Sequence, residues 1–325
     1  MEHTEKTHKK YYKMIHNYQA AQVFFTALQM DIFSLLDETK SSYELSKELD
    51  IPEEKLIFFL EALISCDFIN KEEGQYINTT QTSRYLSRNS AIYIGEVLLF
   101  REEMTSLSAL EANLKEKDYS LIDRPCYDFR KLAELTIPEM YIERVPAFLT
   151  TVAQAFIEKM ESLKVLDLGG GAGILGIEFS KHYPNSVVTI FETEEVAVIT
   201  RKTVEEHGVN GAVHVVTGDF EYDEIGQNYD LIIASGILNF VSQDKLSSFI
   251  KKLSDSLKMN GKLLIVNQEN QNTSYRLSWL SGNLAGIPQV VNHNLEQSLK
   301  QAHLILESKF KTSQFNESIY RKEIS

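Results

Sequence analysis

A strand-to-helix turn built of glycines is the stretch of this sequence best suited to chemistry. Val165-Leu166-Asp167-Leu168 reads as a strand, Gly169-Gly170-Gly171-Ala172-Gly173 as a loop, and Ile174-Leu175-Gly176 as the opening of a helix. Glycines let a backbone turn tightly and come close to a ligand where a Cβ would clash. The run Gly171-x-Gly173-x-x-Gly176 also satisfies a dinucleotide fingerprint, which is a weak motif by itself. The acids around it decide between ligands. Asp167 stands two positions before the glycines, where a carboxylate repels a pyrophosphate and suits an ammonium group. Glu192 closes a second strand nineteen residues after Gly173, placed to accept hydrogen bonds from both hydroxyls of a ribose. Gly218-Asp219-Phe220 follows a third strand; Asp219 can accept from an exocyclic amine and Phe220 can stack on a purine. Any one of these acids alone is an ordinary solvated strand end. Together, at three successive strand ends, an ammonium, a ribose diol and an adenine without a phosphate partner describe S-adenosylmethionine.

The elements that must hold these residues alternate between strand and helix. Lys164–Leu168, Val187–Phe191, Val213–Thr217, Leu231–Ala234 and Lys262–Asn267 are short apolar or β-branched runs with helical segments between most of them. Parallel strands covered by helices on both faces produce this rhythm, so the expected fold class is α/β. A helix is predicted over Ser242–Met259, with Leu246, Phe249, Ile250, Leu253 and Leu257 on one face and Gly261 just past its end. Upstream, His8–Leu28 and Ser41–Leu49 read as helices, and Asp50-Ile51-Pro52-Glu53 reads as an N-cap, a Pro at the first helical position and a capping-box Glu. The next helix puts Leu56, Phe59, Leu60, Leu63 and Ile64 on one face. A hairpin then joins Phe68-Ile69-Asn70 to Gln75-Tyr76-Ile77 through Lys71–Gly74. Helix, helix, hairpin is a winged-helix pattern. Ile92 to Met160 is mostly helical, broken at Pro125, Pro138 and Pro146.

Charge and composition remove several classes of function. The chain has 325 residues, 33 Lys+Arg against 46 Asp+Glu, and a formal charge of −13. Between Ser41 and Thr80, three lysines face nine acids, a balance of −6, which is the wrong sign for a helix that meets DNA phosphates. We therefore expect no nucleic-acid partner, and a dimerisation role for the winged helix. No apolar run approaches the ~20 residues that cross a bilayer, and no secretory signal opens the sequence, so no membrane is expected. Cys66 and Cys126 make neither a disulfide framework nor a metal-ligand spacing; the expectation is a cytoplasmic protein without a metal.

The sequence resembles the S-adenosylmethionine-dependent small-molecule O-methyltransferases that carry an N-terminal winged-helix dimerisation domain, the plant caffeate-type and bacterial polyketide group. VLDLGGGAG, the FE at the second strand end, the GDF, LKMNGKLLI and the opening QAAQVFFTALQMDIFSLL carry the resemblance, which covers nearly the whole chain. It implies a Rossmann-like class I methyltransferase domain at 161–325, helical connector and substrate-pocket helices at 101–160, and a dimerisation domain at 1–100. It further implies a homodimer, a small-molecule acceptor, and cofactor contacts from Asp167, Gly169, Gly171, Glu192, Gly218, Asp219, Phe220 and Ser235. In the family a His after the fourth strand removes the acceptor's proton, and a Glu orients it. Here Asn239 stands at the His position and Gln289 at that of the Glu. An amide has no proton that titrates near neutrality and cannot act as a general base. A register shifted by a few residues would give the role to His293; His16, Tyr18 and Glu269 are other candidate bases. The pocket is expected from Met104–Phe156 and Tyr275–His293. Loss of the base also leaves open a reaction that binds the cofactor without methylation: decarboxylation, hydroxylation or cyclisation. A regulator built on the winged helix is a third reading.

Overall fold

The computed structural model describes residues 8–117, 128–156, 162–242, 244–268, 277, 280, 294–311 and 315–323. The chain divides into two compact units, Met1–Glu102 and Glu103–Ser325.

The first unit gathers helices Lys9–Gln29, Ile32–Leu35, Ser42–Leu49, Glu53–Ser65 and Thr80–Leu86 around Phe33, Leu45, Leu56, Leu60 and Leu63, with a small antiparallel sheet at its side. Strands β1 (Lys40–Ser41), β2 (Ile69–Glu72) and β3 (Gln75–Asn78) pair in the order β1-β3-β2. The turn between β2 and β3 is only Glu73-Gly74, both left-handed at φ 50° and 83°, as a two-residue hairpin requires. The capping box lies one helix earlier than the sequence predicts. Ser41 accepts from the Glu44 backbone N–H, and the Glu44 side chain accepts from the Ser41 backbone N–H. Asp50 takes a left-handed φ of 53° to end the helix Ser42–Leu49, so it cannot cap the next; Glu53 instead accepts from the Ser42 hydroxyl.

In the second unit the described residues form one seven-stranded sheet. Its strands are β4 (Lys164–Leu168), β5 (Val187–Glu192), β6 (Val213–Thr217), β7 (Tyr229–Ser235), β8 (Leu257–Gln268), β9 (Leu304–Lys311) and β10 (Phe315–Lys322). Their order is β6-β5-β4-β7-β8-β10-β9. The first five run parallel, and β10 alone is reversed, pairing antiparallel with β8 on one side and β9 on the other, so the sheet is mostly parallel and α/β, the fold class expected. Helices Val145–Ala155, Ile174–His182 and Glu194–Glu206 supply one face of the core with Phe148, Val152, Phe179, Val196 and Ile199. Leu246–Ser256 and Leu295–Gln301 supply the other.

The helix predicted to reach Met259 stops at Ser256. Leu257 already pairs with Tyr229 in the sheet, and Asn260 at φ 61° turns the chain so that Lys262 pairs with Leu231. A Cβ on Gly261 would lie 2.8 Å from the Tyr229 carbonyl oxygen, so this glycine serves a close approach of two strands and not a helix end.

Candidate functional site

The site forms where the parallel strands end. β4, β5, β6 and β7 all deliver their C-terminal ends to one edge of the sheet, with β4 between β5 and β7. In an open α/β sheet, ligands settle in the crevice outside these ends.

The glycine loop is held from three sides. The Gly169 backbone N–H donates to the Phe191 carbonyl at 2.8 Å, the Gly171 N–H donates to Glu192 Oε2 at 2.9 Å, and the Thr200 hydroxyl donates to the Gly171 carbonyl at 2.6 Å. Gly171 has a left-handed φ of 58°, while a Cβ there would meet only Ala133, at 3.9 Å. Conformation alone asks for glycine at this position, and the space above it is open. Gly176 is the opposite case: a Cβ would press on Asp167 Oδ2 at 3.2 Å and Val188 at 3.1 Å.

Asp167 lies beneath the loop, 1% exposed. Its Oδ2 accepts from the Gly176 N–H at 3.0 Å and so fixes the start of the helix Ile174–His182. Its Oδ1 is buried with no hydrogen-bond partner among the described residues. Burial pushes the carboxyl up to about 7, against the Gly176 hydrogen bond, and the nearby Glu192 charge pushes it further. Glu192 is also raised, first by burial; the N–H groups of Thr193, 2.8 Å from Oε1, and of Gly171 oppose the shift. A buried carboxylate oxygen without a donor, next to a second carboxylate, has the electrostatics of a site for a cation with N–H groups. The residues present therefore fit the ammonium end of S-adenosylmethionine, and Glu192 retains lone pairs for a diol.

Asp219 is exposed and caps its own turn, with Oδ1 accepting from the Glu221 N–H at 2.8 Å. Gly218 donates its N–H to the Glu192 carbonyl at 3.1 Å, which ties the third strand end to the second. Phe220 is half-buried, edge-on to Phe249 with ring centres 5.6 Å apart.

Past β7, Asn239 sits half-buried in the 3₁₀ turn Ile237–Phe240. Its neighbour Phe240 meets Phe129 edge to face at 5.6 Å. Ser235, the last residue of β7, accepts from Arg144 Nη1 at 3.2 Å. Arg144 ends the π-helical turn Met140–Arg144 and leads directly into the helix Val145–Ala155. Sequence reasoning missed Arg144, and with it Thr151 and Glu317, whose carboxylate accepts from the Thr151 hydroxyl. The one available signal was the spacing of Arg144, Phe148 and Thr151, which places all three on one side of a helix.

His293, Gln289, Glu269 and most of the segment Tyr275–His293 lie outside the described residues. His16 and Tyr18 are exposed on the helix Lys9–Gln29, in the other unit; the Tyr18 hydroxyl accepts from Gln22 at 3.3 Å. Among the described residues no group of three or more His, Cys, Asp or Glu side chains is arranged to hold a metal ion, and no helix is long and apolar enough to cross a membrane.

Residues 145–277 match the family model of the O-methyltransferase domain, a range that takes in the glycine loop, Glu192, Asp219 and Asn239. An uncharacterized protein of Methanocaldococcus jannaschii is 28% identical over 227 residues, 67% of this chain. That match spans only 60% of the archaeal protein's length. The 3-hydroxy-5-methyl-1-naphthoate 3-O-methyltransferase of Streptomyces sahachiroi is 23% identical over 251 residues, covering 75% of this chain and 72% of the enzyme. The crystal structure of human N-acetylserotonin methyltransferase in complex with S-adenosylmethionine superposes with a TM-score of 0.74 at 20% identity, covering all of both chains, a likeness of fold.

Proposed function

We propose that this chain, whose residues 145–277 match the O-methyltransferase domain, is an S-adenosylmethionine-dependent methyltransferase that methylates a small molecule at a hydroxyl, enol or thiol, and that no side chain of the β7 turn takes the proton. The observation that carries this reading is Asn239, an amide in the 3₁₀ turn beside the sheet edge where the glycine loop and Glu192 converge. Bound S-adenosylmethionine supplies an electrophilic methyl group. Asp167 and Glu192 would bind its ammonium and ribose ends, Gly169 and Gly171 would bring backbone against it, and Gly218, Asp219 and Phe220 would hold the adenine. Ser235 would close the site on the β7 side. Asn239 orients the acceptor oxygen or sulfur by hydrogen bonding and takes no proton.

The energetics permit this. Holding two reactants in line contributes effective molarities of about 10⁵–10⁸ M, whereas a general base adds about 10²–10⁴-fold. An acceptor that ionises readily dispenses with the smaller factor.

The first unit supports a homodimer. Tyr11, Tyr12, Met14, Ile15 and Tyr18 expose between 54% and 67% of their surface along the helix Lys9–Gln29, more apolar area than a lone soluble helix ordinarily shows water. In this reading residues 1–100 form the dimerisation domain, 101–160 line the acceptor pocket and 161–325 carry the cofactor, in a cytoplasmic protein that binds no nucleic acid.

Transfer of a labelled methyl group to a panel of phenols, enols and thiols tests the proposal. The pH limb of turnover should move with the acceptor's own pKa. A limb fixed near pH 6–7 for every acceptor, lost in His293→Ala or His16→Ala, would put a histidine in the base role. Tight cofactor binding with no acceptor methylated would favour the non-methylating reaction, which the missing base also accommodates.

A further inference from the structure

The chain between Thr217 and Tyr229, which carries Asp219 and Phe220, runs as turns without strand or helix. Its first turn is closed on itself. The Asp219 carbonyl accepts from the N–H groups of Tyr222 at 3.1 Å and Asp223 at 2.8 Å, and Asp223 Oδ2 accepts from the Asp219 N–H at 2.7 Å. Such a turn keeps its shape by its own bonds but takes its direction from outside. That direction matters for Asp219: its Oδ1 is committed to the Glu221 N–H, so the carboxylate points where the turn points.

The outside support is one stripe of the helix Leu246–Ser256 and its N-cap. Lys245, Phe249 and Lys252 follow each other at spacings of four and three, which puts them on one side of the helix. Phe249 meets the Phe220 ring edge-on. Lys245 Nζ donates to Glu221 Oε2 and to the Tyr222 hydroxyl, each at 2.7 Å. Lys252 Nζ donates to the Phe220 carbonyl at 2.9 Å and to the Asp223 carbonyl. A compact ammonium with three donors is suited to gathering carbonyls in this way. Tyr222, Glu224, Ser248 and both lysines also line an open groove of about 390 Å³. The turn therefore stands off the helix along part of its length and is joined to it by separate side chains. The two lysines are not equivalent. Lys245 holds side chains, one of them in a half-exposed ion pair, whereas Lys252 holds the backbone on both sides of the turn.

We propose that Lys252 is a positioning residue of the adenine subsite: by gripping the carbonyls of Phe220 and Asp223 it aims Asp219 at the exocyclic amine, and so sets the preference for adenine over a 6-oxopurine. This inference rests on the assignment of Asp219 and Phe220 to adenine under the proposed function, and deepens it. An amine donates to the carboxylate, whereas an oxo group at the same place repels it, so the preference depends on where the carboxylate points.

Calorimetry on the full-length protein tests this, with S-adenosylhomocysteine and S-inosylhomocysteine as ligands. The native protein should prefer the adenosyl ligand by about tenfold or more, the worth of one hydrogen bond to a charged group. Lys252→Met should cut that preference to below about threefold, chiefly by weakening the adenosyl ligand. Lys252→Arg, which keeps the donors, should restore most of it, and Lys245→Met should change it by no more than about twofold. A Lys252→Met variant that keeps the native preference, whatever its melting temperature, overturns the proposal; so does one that loses affinity for both ligands equally. An arginine variant as indiscriminate as the methionine variant also overturns it, because the donated bonds would then not be the cause. Should Lys252→Met fail to fold, Lys252→Gln carries the same comparison. Equal affinity of the native protein for both ligands would instead overturn the assignment of Asp219 to the amine, and binding of neither would overturn the methyltransferase reading itself.

Discussion

Over β4, β5 and β6 the ligand edge of the sheet is made of backbone and short acids: glycines at positive φ, N–H groups committed to carbonyls, and Asp167 and Glu192 locked against the loop. Over β7, β8 and β10 the same edge is made of long side chains that arrive from distant parts of the sequence. Arg144 comes from before a helix, Phe315 and Glu317 from the last strand, 91 residues separating Arg144 from Ser235 and 166 separating Thr151 from Glu317. The first half is held by local geometry, the second by tertiary packing.

Packing of the helix Val145–Ala155 is the largest lever on that difference. Phe148 is fully buried, faces Phe179 with ring centres 6.5 Å apart, and sits between Arg144 and Thr151 on the helix. Phe148→Ala should destabilise the second unit by about 3–5 kcal/mol in urea unfolding, a transfer loss plus a cavity. A loss below about 1 kcal/mol would mean that this helix does not depend on the core for its place.

On the cofactor side the largest effect is expected from Asp167→Asn. The shape and the acceptor for Gly176 persist while the charge is lost, so S-adenosylhomocysteine should bind about 10- to 100-fold more weakly, the worth of a charged hydrogen bond. The pH dependence has a definite sign. Folding raises this carboxyl from its ordinary 3.8 to about 7. The native state therefore keeps a proton that the unfolded chain releases, and the stability contributed by this group falls as pH rises between those values. Cofactor binding must run the other way and tighten as pH rises through about 7, because the ionised form meets the ammonium. Calorimetry across pH 5.5–8 checks both halves of the prediction. A flat affinity profile in the native protein, or an Asp167→Asn variant less stable than native at pH 8, would contradict it.

The same contrast explains what could be read from the sequence. The glycine loop, Asp167, Glu192 and Gly218-Asp219-Phe220 were legible because each lies within a few residues of the element that positions it. β4 and β6 fall on their predicted bounds for the same reason. Strands β9 and β10 were not legible. Leu304–Lys311 mixes lysine and glutamate on an exposed edge, and β10 buries Glu317 and Ser318 where a strand pattern asks for apolar residues. Arg144 was not legible because the ring it packs on comes from a strand 171 residues later. The end of the helix Leu246–Ser256 was misjudged because Gly261 satisfies a strand contact that no periodicity reports.

Asn239 stands between the two halves. Asn239→Ala should lower turnover about ten- to a hundredfold through lost orientation, about 1–3 kcal/mol, while S-adenosylhomocysteine affinity stays unchanged. The shape of the pH profile should survive the substitution. If the acidic limb vanishes with Asn239, that side chain takes part in proton transfer after all, and the β7 turn contains a relay that the amide completes.

The smallest expected effect probes the cofactor half alone. Thr200 donates its hydroxyl to the Gly171 carbonyl at 2.6 Å, reaching from the helix Glu194–Glu206 to hold the loop from the side opposite Glu192. Valine keeps the branching of threonine and removes only the donor, leaving one carbonyl short of a partner. The net worth of such a bond is about 0.5–1.5 kcal/mol, so Thr200→Val should weaken S-adenosylhomocysteine about two- to tenfold. Because Thr200 acts on the glycine loop and Asn239 on the acceptor, the KM of any acceptor should stay the same at saturating cofactor. A parallel rise in acceptor KM would show that the two halves of the edge are coupled through the glycine loop. The division between a backbone-built side and a side-chain-built side would then describe their construction but not their energetics.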